Sequence, residues 1–201
     1  VTLPEWLVRC GVGERYWGAS RDRLREPRPI VEYLDALPAR MSEGTGLLLL
    51  GPVGVGKTAA LSLIAREVMS AVAGAWYVTV SRLISHLLRG TEMRREWVYH
   101  KGMYNLNEGA EQDVDPKGWP LLLLDEFGAA YESEYAMAAF EDYLGWRYDH
   151  RLATCIAANL TPEQIRGNAH YARMVDRWRE TCRVVVIGGD SMRGAVKEAQ
   201  I

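Results

Sequence analysis

Five short apolar runs punctuate the chain: Gly46 to Leu50, Ala75 to Val80, Leu121 to Leu124, Leu152 to Ala158 and Arg183 to Ile187. They alternate with helical or polar stretches, a rhythm that predicts a parallel sheet flanked by helices. The four leucines from Leu121 to Leu124 leave no polar face, as a central strand buried on both sides requires. Between the first two runs, Leu61, Ile64, Ala65, Val68, Met69 and Val72 recur at helical spacing, predicting a helix over Thr58 to Val72 that Gly74 closes. A second helix is expected from Ser133 to about Tyr148. A third opens at Thr161-Pro162-Glu163-Gln164, where a capping hydroxyl, a proline at the first helical position and a glutamine complete a capping box. Before Gly44 the pattern is less regular, and Pro27, Pro29 and Pro38 bracket a short helix expected at Ile30 to Leu37.

Composition narrows the class. The 201 residues suit one α/β domain with a proper core. A net charge of −2 excludes affinity for nucleic acid over the whole molecule, so any DNA contact must come from a local patch or from assembly. Cys10, Cys155 and Cys182 are too scattered for a disulfide framework or a C-x-x-C metal site, which suits buried thiols in a reducing cytoplasm. No apolar run approaches the ~20 residues that span a bilayer. A soluble cytoplasmic protein without a membrane partner is expected.

The first run feeds directly into Gly51-Pro52-Val53-Gly54-Val55-Gly56-Lys57-Thr58, a G-x-x-x-x-G-K-T loop between strand and helix that Ala59 continues. Glycines let the backbone turn tightly and offer amides to phosphate oxygens. Lys57 adds a charge near the β- and γ-phosphates, and the Thr58 hydroxyl is a ligand for Mg²⁺. The positive end of the helix faces the anion. The plainer alternative, a glycine turn before an ordinary helix, does not require the full motif. ATP with Mg²⁺ is the expected ligand pair.

The third run delivers Asp125 and Glu126 at its carboxyl end, where open α/β sheets bind ligands. Asp125 suits Mg²⁺ and Glu126 suits the water that attacks the γ-phosphate, so the pair reads as hydrolysis. The fourth run ends at Asn159, an amide at the same sheet edge that would orient water or sense the γ-phosphate; alone, it is an ordinary turn former. Arg173 and Arg177 lie four apart on one helical face. Either is suited to stabilising phosphoryl transfer in a neighbouring subunit, or to pairing with Asp176 or Glu180 at the surface. From Ser81 to Lys117 the chain makes an insertion in which Arg82, Arg89, Arg94, Arg95 and Lys101 mix with Trp97, Tyr99 and Tyr104. Cations and flat rings suit single-stranded nucleic acid, and the alternative is an amphipathic helix with solvated arginines. The acidic stretch Glu108, Glu111, Asp113 and Asp115 fits no Ca²⁺ loop and reads as a solvated loop.

Taken in order, Gly51 to Thr58, Asp125 to Gly128, Ala157-Ala158-Asn159-Leu160, Arg173 to Arg177 and Gly188 to Arg193 resemble the DnaC-type helicase loaders and the IstB-type transposition ATPases, both AAA+ proteins. Gly11 to Ser20 resembles the entry segment of the loaders. The resemblance implies an AAA+ P-loop core with a five-stranded parallel sheet, the asparagine strand between the phosphate-loop and carboxylate strands, and no separate lid domain. It implies an entry segment at 1–43, an ATPase core at 44–194 with a helical insertion at about 81–117, and a tail at 195–201. Only fifty residues precede Gly51, so the helicase-gripping domain of the loaders is expected to be absent or reduced.

By the same resemblance Arg177 is the trans-acting finger, with Arg173 second. Arg193 is a second sensor, and Tyr16 borders the adenine. Met192 stands where the loaders carry tyrosine. The implied activity is DNA-stimulated ATP hydrolysis by an ATP-dependent homo-oligomer on single-stranded DNA, with a replicative helicase or a transposase as partner. A P-loop kinase and an ATP-gated scaffold with little turnover are the competing classes.

Overall fold

The computed structural model describes residues 2–68, 74–88, 121–128 and 134–192. The expected end of the helix at Met69 to Val72 before Gly74, the greater part of the insertion with Arg89, Arg94, Arg95 and Lys101, its acidic stretch, and Arg193 lie outside those residues.

Five parallel strands form one sheet: β1 (Gly46–Leu50), β2 (Ala75–Thr79), β3 (Leu121–Phe127), β4 (Ala153–Ala158) and β5 (Cys182–Val186). Their order across the sheet is β2-β3-β4-β1-β5, so the asparagine strand does lie between the other two. Helices α1 (Leu3–Cys10), α2 (Pro27–Asp35), α3 (Leu37–Glu43) and α4 (Lys57–Val68) cover one face. Helices α5 (Val80–Leu88), α6 (Glu134–Asp149) and α8 (Ala169–Thr181) cover the other, and the short α7 (Pro162–Arg166) packs on α8.

The leucine runs explain both layers. In β1, Leu47 and Leu49 enter the core beneath α1 to α4, while Leu48 enters the core beneath α5, α6 and α8. In β3, Leu121 and Leu123 share the first core, and Leu122 and Leu124 the second. Alternate side chains of a strand point to opposite faces, so a strand covered on both sides must be apolar throughout.

The amino-terminal segment departs from expectation. In place of one short helix at Ile30 to Leu37 there are two, because Ala36 leaves helical geometry between α2 and α3 and each helix restarts on a proline in its first turn. This segment is part of the main core: Leu7, Cys10, Ile30, Tyr33 and Leu34 pack with Leu61 and Ile64 of α4. Strand ends shift by a residue or two, as at Cys182–Val186. The expected capping box forms, with the Thr161 hydroxyl accepting from the Gln164 N–H and the Gln164 side chain accepting from the Thr161 N–H.

Two features lock the sheet. Arg147, 4% exposed, sends its Nη2 to the Ala153 carbonyl at 2.7 Å and its Nε to the Thr154 hydroxyl at 3.1 Å, joining α6 to β4. Burial lowers its pKa from the ordinary arginine value, opposed by the neighbouring Tyr143. At the start of β1, a Cβ on Gly46 would stand 1.8 Å from the Thr154 carbonyl oxygen. Gly46→Ala is therefore expected to force β1 away from β4 and to cost about 3 kcal/mol, read as a lower midpoint in urea unfolding.

All three cysteines are free and buried. Burial pushes the Cys10 and Cys182 thiols up to about 12 and Cys155 up to about 11, so none offers a thiolate for chemistry. Among the described residues no helix is long and apolar enough to cross a membrane.

Candidate functional site

Because the strands are parallel, the segments leaving β1, β3 and β4 all emerge at one edge of the sheet. Gly51 to Gly56 follow β1, Asp125 and Glu126 occupy the end of β3, and Asn159 follows β4. They meet in a pocket of about 440 Å³ lined by Gly54, Gly56, Lys57, Thr58, Asp125, Glu126 and Asn159, with Val53, Ala59, Arg15, Tyr16 and Met192 completing the wall.

The loop before α4 has the geometry of a cradle. Gly54 has φ 88°, and a Cβ there would stand 2.2 Å from the Ser191 hydroxyl oxygen, so no other residue type fits this turn without displacing the segment after β5. That segment closes on the loop through a hydrogen bond from the Met192 N–H to the Gly54 carbonyl at 2.8 Å. Lys57 is 6% exposed and donates from Nζ to the Gly51 and Pro52 carbonyls, each at 2.6 Å.

Asp125 and Glu126 lie in the last three residues of β3, which runs on to Phe127. A bulge between Leu124 and Phe127 places Glu126 in the left-handed region at φ 62°. The extra residue reverses the alternation. Asp125 belongs to the parity of Leu123, facing the α4 side, whereas Phe127 turns to the opposite core against Phe140, Tyr171 and Trp178. Glu126 is left exposed between them at the pocket. A non-glycine residue held there costs on the order of 1–3 kcal/mol, and such conformations concentrate at functional positions. The ladder resumes beyond the bulge, where the Asn159 N–H donates to the Phe127 carbonyl at 2.9 Å.

Asp125 is 4% exposed, and its carboxylate is gripped at both oxygens. Oδ1 accepts the Glu126 N–H at 2.8 Å and Oδ2 accepts the Tyr77 hydroxyl at 2.5 Å. Burial, followed by the charge of Asp125, pushes the Tyr77 phenol well above its ordinary value.

The two candidate finger arginines lie elsewhere, exposed on α8. Arg173 Nη2 lies 3.5 Å from Glu141 and 3.0 Å from His170 Nδ1. Arg177 has no ion-pair partner among the described residues and borders open grooves between α6 and α8. Neither pairs with Asp176 or Glu180; Glu180 accepts the Tyr148 hydroxyl at 2.5 Å. Arg82 is exposed on α5, away from the pocket lining.

A family model described as IstB-like ATP binding protein matches residues 30–199. The chain belongs to this IstB-like ATP-binding family. Among solved structures, one of DnaI has a TM-score of 0.68 at 22% identity and covers 90% of this chain and 94% of its own. A DnaC helicase loader follows at 0.63 and 22%, covering 87% of this chain and 99% of its own. DnaA from Aquifex aeolicus, solved with AMPPCP, gives 0.59 at 21% over 82% of this chain and 46% of its own. At these identities the likeness is one of fold, a P-loop NTPase-like α/β core shared with AAA+ proteins. No curated protein matches the sequence.

Seen as an IstB-like ATP-binding protein, the chain has two pocket-lining residues and one buttress that sequence reasoning did not assign to the site. Arg15 and Met192 line the pocket, and Tyr77 stands behind Asp125. Arg15 had a signal, since it neighbours Tyr16 in the entry segment. Tyr77 had none, because its partner is 48 residues away on another strand.

Proposed function

We propose that this IstB-like protein hydrolyses ATP with Mg²⁺ as an oligomeric helicase-loader-type protein acting on single-stranded DNA in the cytoplasm during replication. The observation that carries the reading is the single pocket shared by the phosphate loop, the acidic pair, Asn159 and Tyr16.

The residues present fit the ligand pair. Glycine-permitted turns aim amides at a bound triphosphate, Lys57 adds a cation, and the Thr58 hydroxyl and Asp125 carboxylate are hard oxygen donors of the kind Mg²⁺ takes alongside phosphates. A bound Mg²⁺ would supply neutralising positive charge to the triphosphate. Glu126 orients the attacking water and accepts its proton as the water oxygen bonds to the γ-phosphorus and the bridging oxygen leaves with ADP. Asn159 contacts the γ-phosphate from the neighbouring strand. Tyr16 borders the adenine, and Arg193 serves as a second sensor.

Residues 1–43 then form the entry segment, 44–194 the ATPase core with its insertion at about 81–117, and 195–201 a tail. Arg177 acts in the adjoining subunit, and its lack of an ion pair among the described residues favours it over Arg173, which Glu141 engages. Arg82, with Arg89, Arg94, Arg95 and Lys101, contacts DNA phosphates in the assembly. A solved DnaA bound to AMPPCP and single-stranded DNA, with a TM-score of 0.56 at 23% identity over 94% of this chain and 50% of its own, supports the strandedness of this reading.

Binding of a fluorescent ATP analogue, with phosphate release measured with and without single-stranded DNA, tests the reading. Lys57→Ala is expected to weaken binding by about tenfold to a hundredfold, as loss of a charge-assisted contact of about 1.5–3 kcal/mol does. Equal affinity in the two proteins would refute the cradle. The family match itself favours a second reading, an ATPase assisting a transposase. Preference for duplex over single-stranded DNA would select it.

A further inference from the structure

Tyr77 reaches Asp125 along a diagonal of the sheet. β2 and β3 pair in register with Tyr77 opposite Leu123 and Thr79 opposite Asp125, so Tyr77 and Asp125 lie on one face, two positions apart. A diagonal of that kind is within reach of an aromatic side chain and beyond a short one. The ring packs half-buried against the core beneath α4, and its hydroxyl ends on Oδ2 at 2.5 Å. The strand is buttressed from behind, where a Cβ on Gly11 would stand 2.7 Å from the Tyr77 carbonyl oxygen.

With the Glu126 N–H on Oδ1 and the Tyr77 hydroxyl on Oδ2, the Asp125 carboxylate cannot rotate without losing a charge-assisted bond. Each oxygen keeps a lone pair beyond these bonds. Asp125 lines the pocket, and Tyr77 does not.

We infer that Tyr77 is a positioning residue, holding the Asp125 carboxylate in the orientation that receives the cation of bound Mg·ATP. This rests on the reading of Asp125 as an Mg²⁺ donor. Partners that orient a metal ligand govern metal affinity much as the ligands do, and their loss costs about 10–100-fold.

The test is Tyr77→Phe, which keeps the ring and removes only the donor. Binding of a fluorescent ATP analogue is titrated with Mg²⁺ and repeated in EDTA, alongside thermal unfolding. The half-saturating Mg²⁺ concentration is expected to rise about tenfold, while affinity in EDTA stays at the parental value and unfolding remains a single cooperative transition, its midpoint lowered only by the lost hydrogen bond. In an Asp125→Asn background the same substitution is expected to add nothing to the Mg²⁺ requirement. An unchanged Mg²⁺ midpoint, or an equal loss of affinity with and without Mg²⁺, would overturn the assignment, the second outcome marking Tyr77 as packing only. Absence of Mg²⁺-dependent nucleotide binding in the parental protein would instead remove the functional reading, and this inference with it.

Discussion

Glu126→Gln is expected to bind ATP with parental affinity and to release phosphate about a thousandfold more slowly, within the range of about 10²–10⁴ that a positioned proton acceptor contributes. The substitution keeps the size and the amide-like geometry of the side chain but removes its basicity. It leaves the Glu126 N–H on Asp125 untouched, so the cation site is preserved. Binding and turnover therefore separate. Filter binding would recover ATP, where the parental protein yields ADP. Undiminished turnover would place the base elsewhere. The left-handed backbone at Glu126 should persist in the variant, since glutamine has no greater difficulty there than glutamate.

Arg177→Ala is expected to lower DNA-stimulated turnover by about a thousandfold, the lower end of what an inserted guanidinium contributes to phosphoryl transfer, with ATP affinity retained. The side chain lies outside its own pocket, so its effect requires a second subunit. Complementation makes this decisive. An Arg177→Ala subunit retains its own Glu126, and a Glu126→Gln subunit retains its own Arg177. Mixed together, the two inactive proteins are expected to regain a fraction of parental turnover, which a purely structural role for Arg177 does not permit. Failure of both the loss and the rescue would return Arg177 to the solvated surface.

Much of the architecture was readable in the residues, for reasons that differ by element. The runs Leu47 to Leu50 and Leu121 to Leu124 announce themselves because a doubly covered strand tolerates no polar position. The phosphate loop is legible because its glycines answer a local demand, as the close approach of Ser191 to Gly54 makes concrete. What escaped depends on contacts remote in sequence. The bulge at Glu126 has no signature, since glutamate does not favour a positive φ and is held there by the packing of Phe127 on Phe140, Tyr171 and Trp178. Tyr77 required both the strand order and the register before its partner could be known. The break at Ala36 was hidden because prolines mark helix starts as readily as helix ends.

The placement of β4 between β1 and β3 sets a gauge. Two interstrand steps separate the cradle from the acidic pair by roughly 9–10 Å, a span fixed by main-chain hydrogen bonding and insensitive to side-chain identity. On the function proposed above, a nucleotide with three phosphates would reach further across that span than one with two. Any preference for the unspent over the spent form of the fuel would then rest on the spacing of the backbone, where point mutation cannot easily retune it.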